Sequence, residues 1–379
     1  MSDMMIRMQN ISKSYDGEKT FVIRNLNLEI ERGEFVALLG PSGCGKSTTL
    51  MMLCGLYRPT SGRIYFGDRL VNDVAPKNRN IGMVFQSYAL YPNLSVYENI
   101  AFPLRQVKGV DKKTIDRKVR EVAEIVKIEA FLERMPAQLS GGQQQRVAMS
   151  RALVKKPEIL MLDEPMSNLD ARLKLEIRDE IKKLQGELGL TAIIVTHDQE
   201  EAMAISGKIA VMEKGVIQQY AKPDELYEHP KNLFVASFIG TPPMNFIDGI
   251  LERQGEEYVC RTPCGTLRIP AQSILEQGLK GSKVVLGIRP HNLHLVGGDT
   301  ENCLGLRLDY VEHLGKDLLL KCHYGEEEGV RVLSGLSAGV HLREAVTVQV
   351  DSGSINVFDK ESGENVTRFE EVTSHGTEG

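Results

Sequence analysis

An octapeptide near the start of the chain has residue types suited to binding phosphate. It fits the pattern G-x-x-x-x-G-K-[ST] and consists of Gly40, Pro41, Ser42, Gly43, Cys44, Gly45, Lys46 and Ser47. Its glycines allow consecutive backbone N–H groups to point at the β- and γ-phosphates of a nucleotide. Lys46 supplies a full positive charge, and the Ser47 hydroxyl is placed to ligate Mg²⁺. The octapeptide and the following Thr48 therefore predict a site for ATP and Mg²⁺, against the alternative of a flexible glycine turn.

A second candidate for chemistry lies at the end of an apolar segment farther along the chain. Residues 159–162, Ile-Leu-Met-Leu, are followed directly by Asp163 and Glu164. Four apolar residues bury such a strand and direct its end toward the nucleotide. We expect Asp163 to hold Mg²⁺ through Ser47 and a network of water. The alternative is that the two acids only begin a loop.

These motifs need a scaffold, and the chain up to about residue 235 has the pattern of one. Short apolar strands alternate there with amphipathic helices, which predicts an α/β core with parallel strands. The apolar run Phe35–Leu39 leads into the octapeptide, and 191–195 indicates another buried strand. Between about 87 and 158 the pattern is helical. After Asp170, apolar residues fall on one helical face: Leu173, Ile177, Ile181, Leu184 and Leu188.

The pattern changes from about residue 240, where short segments alternate between apolar and polar residues. Such segments are Leu304, Leu306, Leu308 and Tyr310, and Val346, Val348 and Val350. Glycine-bearing turns separate them, which predicts a small all-β domain. We therefore expect an ATPase domain over 1–235, a β-domain over 236–366 and a disordered tail over 367–379, because that tail is rich in Glu, Ser, Gly and Thr.

Composition limits the classes of function. A net charge of -5 and a pI near 6.0 give none of the basic surface that nucleic acid binding requires. No apolar run approaches the roughly 18 residues that span a bilayer, and the polar start lacks the pattern of a signal peptide. The sequence therefore predicts a soluble protein whose role at a membrane, if it has one, depends on partner chains. The six cysteines suit a reducing compartment.

A further element lies between the two candidate motifs: Leu139, Ser140, Gly141, Gly142, Gln143 and Gln144. The octapeptide, this Ser-Gly-Gly-Gln element and the strand ending in two acids occur in an order that resembles the ATP-binding cassette (ABC) family. The resemblance implies a P-loop cassette with a parallel-sheet core and a helical subdomain. It also implies that Ser140, Gly141, Gly142 and Gln143 contact the γ-phosphate bound to a second copy. Two chains, arranged head to tail, would then enclose two ATP molecules in a homodimer.

The same resemblance assigns roles to further residues. Glu164 would polarise the attacking water, together with Lys46 on the phosphates. Gln86 would sense Mg²⁺ and that water, and His197 would hydrogen-bond the γ-phosphate. Asp170 lies in the segment that touches the facing subunit. A single histidine at a strand end is more often structural, so its position after a buried strand is what favours the catalytic role.

The resemblance also implies an adenine contact and a docking surface. Tyr15 matches the aromatic residue that stacks on adenine, although any exposed tyrosine in this region would fit the pattern. The segment after Gln86 is dense in aromatic and apolar residues and would receive a short helix of the membrane subunits. Tyr88 and Leu90 are the predicted contacts there. The alternative for this segment is ordinary packing of the helical insertion.

Three segments indicate which branch of the family the chain resembles: 164–170, 240–246 and 287–290. They look like the ATPases of carbohydrate importers of the maltose and glycerol-3-phosphate type, in which an OB-like domain follows the cassette. That branch implies two integral-membrane permease subunits, an extracytoplasmic solute-binding protein, a regulatory protein at the β-domain and a location on the cytoplasmic face of the membrane. His291 departs from the branch, which has Glu there, and Met166 replaces the common Leu.

Other readings of the same motifs stay open. Importers of polyamine, sulfate, molybdate or iron use related ATPases. Cassette proteins of translation carry two cassettes, and those of DNA repair carry long coiled coils; this sequence has one octapeptide and no sustained heptads. The β-domain could also serve mainly as a docking module for a regulator. The transported solute is not encoded in this chain, because a motor subunit does not touch it.

Overall fold

The structure is a computed structural model that describes residues 3–17, 19–298, 301–325, 327–335 and 345–368. The chain forms two compact units, which divide between Pro223 and Asp224. This division precedes position 235, where the sequence analysis placed the domain boundary. Within the described residues, no helix combines the length and apolar character needed to cross a membrane.

The first unit contains ten strands and six helices within its described residues. The strands are β1 Met4–Ser14, β2 Phe21–Glu31, β3 Phe35–Leu39, β4 Ser61–Phe66, β5 Arg69–Leu70, β6 Ile81–Val84, β7 Ile159–Asp163, β8 Thr191–Thr196, β9 Lys208–Glu213 and β10 Val216–Ala221. The helices are α1 Lys46–Cys54, α2 Val96–Arg105, α3 Lys112–Ile125, α4 Gly141–Leu153, α5 Ala171–Leu188 and α6 Gln199–Ile205.

A six-stranded sheet forms the centre of this unit, in the order β10-β9-β3-β8-β7-β6. The pairs β9–β3, β3–β8, β8–β7 and β7–β6 are parallel, as the alternation of strands and helices predicts. β3 and β8 are buried along their whole length, because helices cover both faces of such a sheet. A second, antiparallel sheet has the order β2-β1-β4-β5.

The helix that follows the octapeptide is held at its far end by a buried arginine. Arg79 is 4% exposed, and its guanidinium donates to the carbonyl oxygens of Met52, Leu53 and Val74 at 2.8–2.9 Å. The first two carbonyls lie in the last turn of α1, where acceptors have no partner within the helix. Arg79 therefore stabilises the end of α1 that points away from the predicted phosphates.

Helices α2, α3 and α4 lie in the stretch that the sequence pattern marks as helical. Each begins with a side-chain cap: Ser95 and Ser140 form capping boxes with Glu98 and Gln143, and Asp111 accepts from the Thr114 N–H. Buried side chains on α5 include Ile177, Ile181 and Leu184, in agreement with the predicted face, whereas Leu188 in its last turn is 42% exposed. The predicted face is therefore buried along the middle of α5 and becomes exposed in its last turn.

The second unit begins with two short helices, α7 (Pro223–Glu228, starting at the boundary) and α8 (Leu233–Phe238), and continues as β-structure. Its strands are β11 Asn245–Gln254, β12 Glu257–Thr262, β13 Gly265–Pro270, β14 Lys283–Ile288, β15 Leu293–Val296, β16 Cys303–Leu314, β17 Asp317–Tyr324, β18 Glu327–Gly335, β19 Ala345–Val350 and β20 Asn356–Asp359. All described pairings among them are antiparallel.

The predicted alternation in this unit corresponds to a buried face. Leu304 and Leu306 on β16 and Val348 and Val350 on β19 are all at most 2% exposed. The predicted tail begins with an ordered residue, because the Thr367 hydroxyl accepts from the Val357 N–H at 2.7 Å. The start of the tail at 367 was therefore wrong, since this residue completes a hydrogen bond of the β-structure. Residues 369–379 lie outside the described part of the chain.

Candidate nucleotide site

Four neighbouring parallel strands end at the same edge of the central sheet, and a predicted site residue follows each of them. In the order β6, β7, β8 and β3, these are Gln86, Glu164, His197 and the octapeptide. Ligands of open α/β sheets bind at the carboxyl ends of the strands. The topology therefore collects at one edge residues that are far apart in sequence.

Lys46 is almost fully buried within the octapeptide. The residue is only 5% exposed. Its side-chain ammonium donates to the carbonyl oxygens of Gly40 at 2.7 Å and Pro41 at 2.9 Å. The Cys44 thiol lies 3.8 Å from the same nitrogen, and Cys44 is 3% exposed. Because these carbonyl acceptors are neutral, they do not offset the positive charge of the ammonium, which remains available to bind an anion. Gly45, with φ at 109°, is the N-cap of α1 and completes the predicted phosphate-binding loop.

Ser47 and Asp163 supply the oxygen ligands that a hard cation prefers. The Ser47 hydroxyl donates to Asp163 Oδ1 at 3.4 Å. Burial, followed by the neighbouring Glu164, raises the pKa of Asp163, while the Ser47 hydrogen bond and Lys46 lower it. A divalent cation beside this carboxylate would offset the cost of keeping it charged. The donor set thus fits Mg²⁺.

Glu164 is the point at which the predicted catalytic residues meet. Its Oε2 accepts from Gln86 Nε2 at 3.3 Å and lies 3.3 Å from His197 Nδ1. The backbone of Glu164 has φ at 44°, a region that non-glycine residues seldom adopt, and its N–H donates to the Val195 carbonyl at 2.9 Å. A strained backbone held by a neighbouring strand is typical of a functional position. The carboxylate is thereby presented at the sheet edge, facing the amide and the imidazole.

Tyr15 is exposed beside the start of α1. Its exposed fraction is 54%, and its hydroxyl lies 3.3 Å from Thr48 Oγ1. The ring makes an edge contact with Tyr57, with centroids 5.7 Å apart, and Lys13 Nζ lies 5.0 Å from the ring centre. Sequence analysis missed both neighbours: Lys13 is two residues before Tyr15, whereas Tyr57, 42 residues later, reaches it only through the fold. An open aromatic face in this position can stack on a planar base.

The Ser-Gly-Gly-Gln element forms the start of α4. Ser140 is the N-cap, its hydroxyl accepting from the Gln143 N–H at 3.4 Å while Gln143 Oε1 accepts from the Ser140 N–H at 3.0 Å. A Cβ added to Gly141 would lie 3.2 Å from Leu169, which precedes Asp170. In the described part of the chain, the side-chain hydrogen bonds of Ser140 are thus with Gln143 and with no residue of the octapeptide.

The segment before α5 lies between the Ser-Gly-Gly-Gln element and Gln86. Asp170 is the N-cap of α5 and accepts from the Leu173 N–H at 3.0 Å. Asn168 Nδ2 donates to the Gln86 carbonyl oxygen at 3.1 Å, and the Ser167 hydroxyl donates to the Glu164 carbonyl oxygen at 3.0 Å. Movement of this segment would therefore act on the backbone of both Gln86 and Glu164.

One of the two predicted docking contacts is wrong. Tyr88 is 6% exposed, burial raises the pKa of its phenol, and its backbone has φ at 61°. Arg151 on α4 donates to the carbonyl oxygens of Tyr88 at 2.8 Å and Ala89 at 2.6 Å, which fixes the segment against the helical insertion. Tyr88 therefore serves packing, which is the alternative stated above. Leu90 is partly exposed and stays a prediction.

Comparison with known proteins gives two family matches along the chain. The profile of the family described as ABC transporter matches residues 23–167, and that of the MalK OB fold domain matches residues 240–293. The trehalose/maltose import ATP-binding protein MalK of Thermococcus litoralis is 46% identical over 95% of this chain and 99% of its own length. The sn-glycerol-3-phosphate import ATP-binding protein UgpC of Escherichia coli K12 is 41% identical over the same shares.

Solved structures give the same result for the first part of the chain. The ATP-binding cassette MJ0796, in a dimeric post-hydrolysis state bound to ADP and Pi, is 36% identical and has a TM-score of 0.53; the match covers 58% of this chain and 99% of that one. CbiO1 of Clostridium perfringens, part of an ABC transporter complex, is 32% identical with a TM-score of 0.55, over 59% of this chain and 91% of that one.

Proposed function

Because the chain belongs to the ATP-binding proteins of ABC importers, with an ATPase cassette followed by a MalK-type OB domain, we propose that it powers carbohydrate uptake. In this proposal, two copies bind and hydrolyse two ATP molecules between them. The solute is a sugar, an oligosaccharide or a compound like glycerol-3-phosphate. The relatives named above, importers of trehalose, maltose and glycerol-3-phosphate, support this class of solute.

A single observation carries the mechanism: Glu164 lies within 3.3 Å of both Gln86 and His197 at the sheet edge where Lys46 is buried. We propose that Glu164 orients and polarises the attacking water, and that His197 hydrogen-bonds the γ-phosphate. Lys46 exchanges its two carbonyl acceptors for phosphate oxygens when the nucleotide binds. Tyr15 offers its exposed face to adenine, and Ser47, Asp163 and Gln86 are the proposed ligands of Mg²⁺. Bound Mg²⁺ would neutralise charge on the β- and γ-phosphates.

The second half of each site comes from another copy of the chain in this proposal. Ser140 and the backbone N–H groups of Gly141 and Gly142 form an anion-binding turn at the start of a 13-residue helix. The dimeric state of the cassette MJ0796 supports the pairing of two copies, which this proposal arranges head to tail. Loss of the shared γ-phosphate contacts on hydrolysis would then open the pair.

The remaining partners follow from the importer assignment. We propose that two integral-membrane permease subunits bind the cassette, with Leu90 in the contact, and hold it at the cytoplasmic face of the membrane. A solute-binding protein would act through them without touching this chain. The OB-like domain would add contacts between the two copies and bind a regulator, and no nucleic acid is involved.

A trapped dimer tests the mechanism. Glu164→Gln should bind ATP but lower turnover by about a hundredfold or more, because the amide cannot polarise water as a carboxylate does. With ATP it should elute as a dimer in size-exclusion chromatography with light scattering. Glu158→Gln, at an exposed position just before β7, is the matched control and should keep normal turnover. Near-normal turnover of Glu164→Gln, or a monomer even beside its membrane partners, would contradict the proposal.

Mixing two inactive variants tests whether the sites are shared. Lys46→Ala and Ser140→Arg should each be inactive alone. In a mixed dimer with shared sites, one site carries both lesions and the other carries none, so mixing should restore part of the activity. If each chain used its own Ser140, both sites would stay defective and no activity would return. Co-purification of the permease and solute-binding proteins, followed by solute-stimulated ATPase assays, would identify the carbohydrate.

A further inference from the structure

The loop that carries His197 is fixed on both sides of the histidine. Thr196 is 2% exposed, and its hydroxyl donates to Glu201 Oε2 at 2.5 Å and accepts from the Asp198 N–H at 3.0 Å. Asp198 in turn accepts from the Glu201 N–H at 3.1 Å as the N-cap of α6. The His197 side chain between them is 59% exposed. The backbone that aims the imidazole is therefore held by side chains, whereas the ring itself is free to meet a substrate.

The environment of the Glu201 carboxyl group is energetically unfavourable. One carboxylate oxygen is bound by Thr196, and the other, Oε1, is buried without a hydrogen-bond partner. Burial, and secondarily Asp198, raises the pKa of Glu201, against the effects of Thr196, Lys174 and His197. A buried carboxyl with an unsatisfied oxygen destabilises the fold. Its place beside the loop that carries His197 makes it a candidate for a role other than stability.

A second contact joins this loop to α5. Lys174 Nζ lies 3.7 Å from Asp198 Oδ2, and Lys182 Nζ donates to the Ala204 carbonyl oxygen at 2.8 Å. Between these helices lies a cavity of about 360 Å³, bordered by Met166 and Leu169 on the segment before α5 and by Glu201. The contacts made by Lys174 and Lys182 are therefore polar bridges from α5 to this loop and to α6.

We propose that Glu201 is a positioning residue for His197, acting through Thr196, and that Lys174 extends this connection to helix α5. The inference rests on the proposed function, in which His197 contacts the γ-phosphate. Because Asp170, in the segment assigned to the partner contact, is the N-cap of α5, the arrangement links arrival of a second copy to the orientation of the imidazole. Nothing in this role requires Glu201 to touch the nucleotide.

The first test separates positioning from nucleotide binding. In the purified full chain, Glu201→Ala and Thr196→Val should each lower kcat about tenfold, because a misplaced catalytic group loses rate, and should leave KM for MgATP within about twofold. Glu201→Gln keeps the size and an acceptor for Thr196 and should restore most of the rate. Glu200→Ala, at the exposed neighbouring position, is the control. Unchanged kcat in Glu201→Ala, or no rescue by Gln, would overturn the proposal.

A double-variant cycle tests whether Glu201 acts through the histidine. With radiometric phosphate release to follow slow turnover, Glu201→Ala should add less than about a twofold loss to His197→Ala. An undiminished tenfold loss in that background would show that Glu201 acts independently, and the proposal would fall while the role of His197 stood. Near-normal turnover of His197→Ala alone would instead remove the proposed function.

The same logic tests the link to α5. Lys174→Met should lower kcat by about threefold, and its effect should disappear in the Glu201→Ala background, since both substitutions loosen one connection. Lys174→Arg keeps the charge and should retain the rate. Losses that multiply in the double variant would exclude Lys174 from the connection.

Discussion

Lys46 in the first unit and Arg289 in the second are both buried cations that backbone carbonyls surround. Lys46 is 5% exposed and donates to Gly40 and Pro41, whereas Arg289 is 2% exposed and donates to the carbonyl oxygens of Tyr227, Ala236 and Ile239. Neither set of acceptors carries a charge. A buried cation held in this way can either bind an anionic ligand or join segments of backbone.

Geometry around the two cations separates these roles. The acceptors of Lys46 belong to its own loop, a few residues away, and can be exchanged for phosphate oxygens without opening the core. The acceptors of Arg289 lie on α7 and at the end of α8, and its guanidinium stacks on the Tyr227 ring with 4.1 Å between the carbon and the ring centre. Arg289 therefore ties the two helices to the β-structure of the second unit. A planar fork with several donors suits that task better than an ammonium.

The largest expected effect is on turnover at Lys46. Lys46→Ala should reduce ATP turnover by about a thousandfold, because it removes a preorganised charge from the phosphates. Its thermal unfolding midpoint should change little, since the carbonyls it leaves lie in a loop at the ligand site. Lys155→Ala, at an exposed position after α4, is the control. A large loss of stability with turnover retained would mean that Lys46, like Arg289, serves to hold backbone segments together.

Arg289 should show the opposite behaviour. Arg289→Met keeps much of the side-chain volume but leaves the Tyr227, Ala236 and Ile239 carbonyls without their donor, which should cost about 3 kcal/mol or more of unfolding free energy. At a temperature where the variant is folded, ATP turnover should stay within about twofold. Arg307→Met, at an exposed position on β16, should change neither quantity. Equal stability of Arg289→Met and the parent chain would contradict this reading.

This contrast shows what the sequence could predict. The octapeptide identifies Lys46 because its glycine spacing, the preceding strand and the following helix are all local features, and together they predict a phosphate-binding loop. The Gly-Ile-Arg-Pro segment marks only a resemblance to importer ATPases, and the partners of Arg289 lie 50 or more residues away in sequence. Such contacts depend on tertiary packing, which no local pattern encodes. The same limit hid Arg79, Tyr57 and Glu201.

Docking contacts were harder to predict for a related reason. The segment after Gln86 has the composition of an exposed apolar surface, yet Tyr88 is buried because Arg151 and two left-handed residues turn the backbone inward. Composition reports which residues avoid water, and it does not distinguish burial in the core from burial by a partner. By contrast, the strands and long helices follow from periodicity. The order of the central sheet confirms the predicted parallel core.

Two glycines with nearly equal φ angles sharpen the comparison. Gly45 has φ at 109° and Gly240 has φ at 108°, so alanine at either position should cost about 1–2 kcal/mol of backbone strain. An added Cβ on Gly240 would also lie 2.8 Å from Arg289 Nη1 and 3.0 Å from Tyr227. Gly240→Ala should therefore lower the unfolding midpoint and spare ATP affinity, as measured by calorimetry.

Gly45→Ala should chiefly weaken nucleotide binding. Its Cβ would lie 2.3 Å from Cδ1 of the buried Ile23, so that side chain and the loop both have to adjust. A change in this loop alters the direction of the N–H groups at the start of α1 and should raise the dissociation constant for ATP about tenfold. If both glycine variants lost stability equally and bound ATP equally well, the two regions would not differ in the way proposed.

The smallest expected effect concerns His291, which stacks on Tyr227 with centroids 5.9 Å apart. Burial lowers the pKa of His291 below 6.5, as do Arg289 and His294, while Glu228 opposes the shift. Below pH 6.5 the unfolded chain therefore binds a proton at this position that the folded chain resists, so the histidine makes the protein less stable as the pH falls.

His291→Gln removes that titration while leaving a polar side chain beside Tyr227. The variant should lose less unfolding free energy than the parent chain between pH 7 and pH 5.5, measured by denaturant unfolding at each pH, and the two should run in parallel above pH 7.5. Parallel curves throughout would mean that the imidazole is protonated as easily in the folded chain as in the unfolded one. The contrast with the nucleotide site would then widen, because burial beside Arg289 would affect packing alone, whereas burial at Asp163 also shifts the pKa of the carboxyl group.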